Sequence, residues 1–230
     1  YLHNCKFTNK KLSFKKAFYG PLKHDNPITN DYNLNKNMVI TGPNAAGKTT
    51  ILKTTIINII LSQQIGCGFY KSANISPFNH IHCYLNIPDT SNRDSLFQAE
   101  ARRCKNIIDI IDSDKTKKHF CIFDELYSGT NPYEAVASAF SYLSYLCKNK
   151  NIKFMLTTHY VELCKHLTKH ENKKVINKHM KVNKNKNGDF DFTYMLTNNI
   201  SEIKGGIKVL KDLHYPTSII DYTEKMINEE

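Results

Sequence analysis

Apolar and polar positions along this chain switch repeatedly between two periods. Met38-Val39-Ile40-Thr41 is a short apolar run of the kind that fills a buried strand. After a polar stretch containing two glycines, Ile51, Leu52, Ile56, Ile59 and Ile60 recur at helical spacing, which predicts a helix over 49–64 stopped by Gly66 and Gly68. Residues 69–90 read as one alternating strand, 80–85, between loops. Phe97, Ala101, Cys104, Ile108 and Ile111 then predict a helix over 91–111, with Ser91, Asp94 and Ser95 offering N-cap oxygens.

The second half repeats the scheme. His119-Phe120-Cys121-Ile122-Phe123 predicts a buried strand ending in Asp124-Glu125, followed by a helix over 132–147 and a strand over 154–157 ending in Thr158-His159. Residues 190–196 alternate as a late strand. Two helices follow, over 205–214 and 217–228, broken at Tyr215-Pro216. Residues 1–37 are polar and rich in turn signals, predicting an edge hairpin, and the Lys/Asn-rich stretch 165–187 reads as solvated loop. Alternating strands and helices predict an α/β fold with a mainly parallel sheet covered by helices and active residues at the carboxyl ends of strands.

Composition narrows the class. The chain has 230 residues, 40% of them hydrophobic, which suits one domain with a large core. No apolar run approaches the ~20 residues of a membrane span, and no signal peptide is evident. The seven cysteines never form a Cys-x-x-Cys pair, which argues against a disulfide framework or a zinc site and leads us to expect an intracellular setting. A net charge of +11 favours a polyanionic partner, although much of the excess lies in the Lys/Asn-rich stretches. A chain starting at Tyr1 is expected to be a piece of a longer protein.

Chemistry enters at residues 42–50. Gly42-Pro43-Asn44-Ala45-Ala46-Gly47-Lys48-Thr49-Thr50 has the Gly-x-x-x-x-Gly-Lys-Thr spacing of a phosphate-binding loop, set between a predicted strand and a predicted helix. A triphosphate needs converging backbone N–H groups, a helix N-terminus, a lysine at the β/γ oxygens and a hydroxyl for Mg²⁺; Gly42, Gly47, Lys48 and Thr49 supply these in order. ATP and Mg²⁺ are the expected cofactors.

Hydrolysis needs more than a cradle. Asp124, ending its strand as a Walker B acid should, is the expected second metal residue beside Thr49, and Glu125 is placed to polarise water. His159, at the end of the third strand, could reach the γ-phosphate as a donor. Ser95 either caps its helix or points a hydroxyl and a helix N-terminus at an anion.

Four segments together, Thr41 to Thr50, Ser95-Leu96-Phe97-Gln98-Ala99-Glu100, Phe123 to Thr130 and Thr157-Thr158-His159-Tyr160, resemble the ATPase domain of the MutS mismatch-repair family, in particular the divergent MutS-like proteins of large DNA viruses. The resemblance implies a P-loop NTPase of the ABC-ATPase type over 1–200, with a C-terminal helix-turn-helix dimerisation element over 201–230. It also implies a dimer in which each site is completed by Ser95 in trans. Ile28, within Asn26 to Asp31, is the implied adenine contact, and Ser128-Gly129-Thr130-Asn131 matches the loop that couples one site to the other. Double-stranded DNA is an implied partner through domains mostly outside this chain.

The chain departs from the family pattern at Ala45-Ala46, where a longer residue and a glycine are usual, at Leu96 for a hydroxyl, and at Tyr127-Ser128 for an Arg-containing pair. The expected function is a Mg²⁺-dependent ATPase that switches a dimeric DNA-maintenance protein between states. The alternatives are a non-hydrolysing nucleotide-dependent clamp and a recombination-related ATPase.

Overall fold

The computed structural model describes residues 1–85, 95–184, 190–201, 203 and 205–228. Its main sheet has six strands: β4 (Asn37–Thr41), β7 (His80–Tyr84), β8 (His119–Asp124), β9 (Ile152–Thr157), β10 (Val175–Lys184) and β11 (Phe190–Asn198), in the order β11-β10-β4-β9-β8-β7. All neighbours are parallel except β11, which runs antiparallel to β10 at the edge. The expected parallel sheet is therefore present.

A second sheet, not anticipated from the sequence, joins β1 (His3–Phe7), β2 (Ser13–Ala17), β3 (Asn30–Asn33), β5 (Cys67–Gly68) and β6 (Ser72–Ile75) in the order β3-β2-β6-β1-β5. The expected edge hairpin survives only as the antiparallel pair of β2 and β3, separated in the chain by the 3-10 turn Gly20–Leu22. The stretch 69–90 likewise holds β6 as well as β7, because β6 finds partners in β1 and β2 far away in sequence.

Helix α1 (Lys48–Ile65) lies between the two sheets. Its Ile51, Leu52, Ile56 and Ile59 pack with Met38, Ile40, Phe120, Ile122 and Met155 of the main sheet and with Phe14, Tyr32, Tyr70 and Ile75 from the other side. A helix enclosed on both faces cannot be simply amphipathic. Its buried polar residues turn inward instead: Thr54, Thr55, Asn58 and Ser62 each donate to the carbonyl four residues earlier. Gly66, at φ 75°, caps it, as expected.

The opposite face of the main sheet carries Val39, Cys121, Phe123, Phe154 and Leu156. Against them pack α2 (Leu96–Ser113), α3 (Pro132–Cys147) and α4 (Val161–Glu171) through Cys104, Ile107, Ile111, Ala139, Leu143, Leu163 and Leu167. Strand parity explains this split, since Val39 and its neighbours Met38 and Ile40 must point to opposite faces.

The reading of 165–187 as solvated loop is corrected. It holds most of α4 and all of β10, because Leu163, Cys164 and Leu167 bury one face of α4 while β4 and β11 satisfy both edges of β10. The helix over 91–111 starts at Leu96; the caps Ser91 and Asp94 fall outside the described residues. At the C-terminus stand α5 (Gly206–Asp212) and α6 (Thr217–Asn228), close to expectation. All seven cysteines are free thiols.

Candidate functional site

The carboxyl ends of three adjacent strands, β4, β9 and β8, bring the sequence-predicted residues together. Residues 42–47 follow β4 and turn directly into α1. Three left-handed positions shape the turn: Gly42 at φ 147°, Ala45 at 63° and Gly47 at 94°. Ala46, at the position where a glycine is usual, is not among them, and its methyl is buried in the core, so that departure fits the backbone. Ala45 instead bears the cost of a Cβ in the left-handed region, about 1–2 kcal/mol. At Gly47 the left-handed turn favours glycine, and an added Cβ would lie 3.1 Å from the Tyr194 ring, which would have to give way.

Lys48 is nearly fully buried, and its Nζ donates to Gly42 O at 2.9 Å, Pro43 O at 3.2 Å and Asn44 Oδ1 at 3.5 Å. Burial lowers its pKa, opposed by Glu125 and then Asp124. A buried ammonium curled onto its own glycine-bearing loop at a helix N-terminus fits a polyphosphate group. Of the expected loop residues, Gly42, Pro43, Asn44, Ala45, Ala46 and Gly47 form this turn, and Lys48, Thr49 and Thr50 form the first turn of α1.

Asp124 is the last residue of β8, in register with Thr157 of β9. Its two oxygens are both engaged: Oδ2 accepts from Thr49 Oγ1 at 2.8 Å, and Oδ1 accepts from Thr157 Oγ1. Thr49 and Asp124 thus meet, as a shared metal site requires, and a hydroxyl beside a carboxylate is an oxygen set suited to Mg²⁺.

Glu125 leaves the strand at φ 56°, with its N–H on Thr157 O at 3.0 Å. This turn aims its carboxylate at the loop: Oε1 lies 3.9 Å from Lys48 Nζ and 3.5 Å from His159 Nδ1. The hydrogen bond from His159 is the main reason the Glu125 carboxyl is held below its ordinary pKa, with Lys48 adding to it. His159 is half exposed and contacts Tyr160. Lys48, Thr49, Asp124, Glu125 and His159 therefore form one cluster.

Ser95 does not join that cluster within the chain. It is exposed and caps α2 through a reciprocal box, accepting from Gln98 N at 3.3 Å while its own N–H donates to Gln98 Oε1 at 2.9 Å.

Beside the loop is a cavity of about 360 Å³ lined in part by Phe18, Tyr19, Ile28, Gly47, Thr50 and Tyr194. Its volume is in the range of small-ligand pockets, and its walls are mainly apolar and aromatic. Ile28, the implied adenine contact, is among its lining residues. Tyr194 was missed: it projects from β11 at φ 55°, and Asn30 fixes it by donating to Tyr194 O at 3.1 Å and accepting from Leu196 N at 2.7 Å. The signal was present, since Phe190, Phe192 and Tyr194 stand at alternate positions and their rings touch in sequence.

Residues 38–229 match the family profile described as MutS domain V. The chain is 31% identical to the protein named Endonuclease MutS2 of Clostridium botulinum over 199 residues, 84% of this chain and 24% of that protein. It is 36% identical to the DNA mismatch repair protein MutS of Clostridium perfringens over 146 residues, 60% of this chain and 16% of that protein. A further Endonuclease MutS2, from Staphylococcus saprophyticus, is 31% identical over 159 residues, 67% of this chain and 20% of that protein. The matched part spans less than a quarter of each relative.

Proposed function

Because the chain belongs to the MutS family through its domain V, we propose that it is a Mg²⁺-dependent ATPase of a MutS-like DNA-maintenance protein, acting as a P-loop NTPase of the ABC type. One observation carries the reading: Lys48 Nζ and His159 Nδ1 both lie within 3.9 Å of Glu125 Oε1, next to the Thr49–Asp124 pair.

In this reading the N–H groups of residues 44–50 and Lys48 hold the phosphates, and Ile28 and Tyr194 enclose the base in the neighbouring cavity. Thr49 and Asp124 would hold Mg²⁺, whose chemistry there would be to neutralise phosphate charge. Glu125, kept ionised by His159, takes the proton of an attacking water, while Lys48 faces the charge that develops on the γ-phosphoryl. His159 also orients the Glu125 carboxylate. Ser95 of a second copy completes the site from the far side, with α2's N-terminus behind it, so turnover requires a dimer. Double-stranded DNA is engaged mostly by parts of a longer protein.

Turnover and nucleotide binding of wild type and Glu125→Gln, measured over a range of protein concentrations, test this. The variant should bind ATP yet lose at least a hundredfold in turnover, a typical general-base contribution being about 10²–10⁴. Wild-type turnover per chain should rise with concentration, and light scattering should show ATP-dependent dimers. Wild-type turnover equal to the variant's at every concentration would leave the non-hydrolysing clamp. A fully active monomer would remove the composite site.

A further inference from the structure

Glu100 is buried, at 2% exposure, and the contacts that define it are directed at a loop of another element. Its Oε1 accepts from Ser128 N at 3.0 Å and from Ser128 Oγ at 2.8 Å, and its Oε2 accepts from Gly129 N at 3.1 Å. Both oxygens of a carboxylate on α2 thus clasp the loop that begins three residues after Glu125.

The contact leaves no slack. A Cβ on Gly129 would fall 2.6 Å from Phe97 N and 2.8 Å from Leu96 Cβ, so the loop lies directly on the first turn of α2. Phe97 also packs against Tyr127 with ring centroids 5.7 Å apart. Between Asp124 and Ser128 the chain carries two left-handed non-glycine residues, Glu125 at φ 56° and Tyr127 at 58°. Such a turn is strained at both residues, so it persists only where its surroundings over-determine it. Thr157 O holds it on the strand side, and Glu100 holds it on the helix side.

We propose that Glu100 is a positioning residue that makes one rigid unit of the Ser95 helix end and the Glu125 turn. The proposal rests on the ATPase reading given above and deepens it. Ser95, at the tip of α2, is the point meant to meet the partner's nucleotide, and Glu125 serves the nucleotide of its own chain. Any shift of α2 caused by the partner's site is passed through Glu100 to Ser128 and Gly129 and so to the Glu125 carboxylate. The link between the two sites is two backbone hydrogen bonds and one hydroxyl hydrogen bond to one side chain, with no movement of the phosphate-binding loop required.

The test uses wild type, Glu100→Gln and Gly129→Ala in the full chain. The first variant replaces one acceptor oxygen by an NH₂ group facing a donor; the second pushes the loop away from Phe97 while leaving the carboxylate intact. Both should keep their nucleotide Kd within about threefold, because the cradle is untouched. Both should lose kcat by about a hundredfold, the scale of a misplacement near 1 Å. Amide exchange at Ser128 and Gly129 should rise at least tenfold in Glu100→Gln.

Unchanged exchange at Ser128 and Gly129 in Glu100→Gln would show that the clasp is not formed. Raised exchange with wild-type kcat in both variants would reduce Glu100 to a packing role, and a fall in kcat matched by an equal rise in Kd would do the same. Should Glu100→Gln fail to fold, the kcat and Kd of Gly129→Ala decide. Absence of hydrolysis by wild type sinks the ATPase reading alone, since the exchange measurement still reports on the clasp.

Discussion

Thr49 Oγ1 donates to Asp124 Oδ2 at 2.8 Å across 75 positions of sequence, joining the first turn of α1 to the end of β8. The same carboxylate takes the Thr157 hydroxyl on its other oxygen. Asp124→Asn keeps the volume but leaves one of those hydroxyls facing an NH₂ group. Calorimetric titration should show Mg²⁺ improving ATP affinity at least tenfold less in the variant than in wild type, while ADP binding without Mg²⁺ stays within about twofold. An undiminished Mg²⁺ effect would remove Asp124 from the metal site.

The carboxyl of Glu125 is held below its ordinary value of 4.5, first by His159 and then by Lys48. A depressed carboxyl pKa contributes stability that is present above the unfolded value and lost as pH falls through the folded one. Side-chain carbon NMR should therefore place the Glu125 midpoint under 4.5 in wild type. In His159→Ala, where burial continues to push upward, the midpoint should rise. A midpoint that ignores His159 would mean that the 3.5 Å contact does not govern this carboxylate.

Tyr194 and Ile28 line one cavity, and their contributions to holding a base should differ. An aromatic face adds about 0.5–1.5 kcal/mol beyond the area it covers, so Tyr194→Ala should weaken ATP binding roughly tenfold. Tyr194→Phe should stay close to wild type, and Ile28→Ala should fall in between. Asn30→Ala, which frees the backbone on either side of Tyr194, should approach the effect of Tyr194→Ala. Equal affinities across this set would locate the base elsewhere.

Three imidazoles stack at the amino ends of β7 and β8: the ring centroids of His80 and His119 are 4.6 Å apart, and those of His82 and His119 are 5.4 Å apart. His119 Nε2 faces Asp114 O at 3.0 Å and must carry the proton there, so its Nδ1 accepts from His82 Nε2 at 3.1 Å. Burial, with His119 and His80 adding to it, lowers the His82 pKa from 6.5 to about 4. The unfolded chain binds this proton first, so stability should fall as pH drops from about 6.5 toward 4, by up to about 3 kcal/mol. His82→Gln, which keeps a donor for His119, should flatten the thermal-melting profile in that window. A variant profile parallel to wild type would contradict the assignment.

Adjacent alanines of the phosphate-binding loop should respond to glycine with opposite signs. Ala45→Gly removes a left-handed penalty of about 1–2 kcal/mol and restores roughly 0.5–1 kcal/mol of chain entropy, for a net gain of up to about 1.5 kcal/mol. Ala46→Gly removes a buried methyl worth about 0.8 kcal/mol and adds the same entropy, so it should destabilise by about 1–2 kcal/mol. Urea unfolding of the two variants without nucleotide distinguishes them. Equal shifts would mean that Ala45 is not left-handed.

The residues gathered at the carboxyl ends of β4, β8 and β9 were legible in the sequence because short apolar runs deliver them directly. Met38 to Thr41 leads into the loop, and His119 to Phe123 leads to Asp124. Strand β10 was not legible. Only part of it is buried, and Lys178 and Lys181 lie within a run whose backbone is satisfied by β4 and β11, a pairing that no local pattern announces. Helix α4 was hidden in the same way, its apolar side reduced to Leu163, Cys164 and Leu167 among lysines and histidines. The second sheet depends on pairing residues 5–7 with 73–75, a contact between distant segments. Glu100 looked like one acid on a helix until the fold set Ser128 and Gly129 against it.

The absence of room at Gly129 has a consequence for how such chains can change over generations. An ancestor that acquires any side chain there must first separate the loop from Phe97, and once they are separated, a buried acid at position 100 has lost its donors and becomes a liability. Positions 100 and 129 should therefore be inherited as a pair: lineages keep the acid and the glycine together, or replace both.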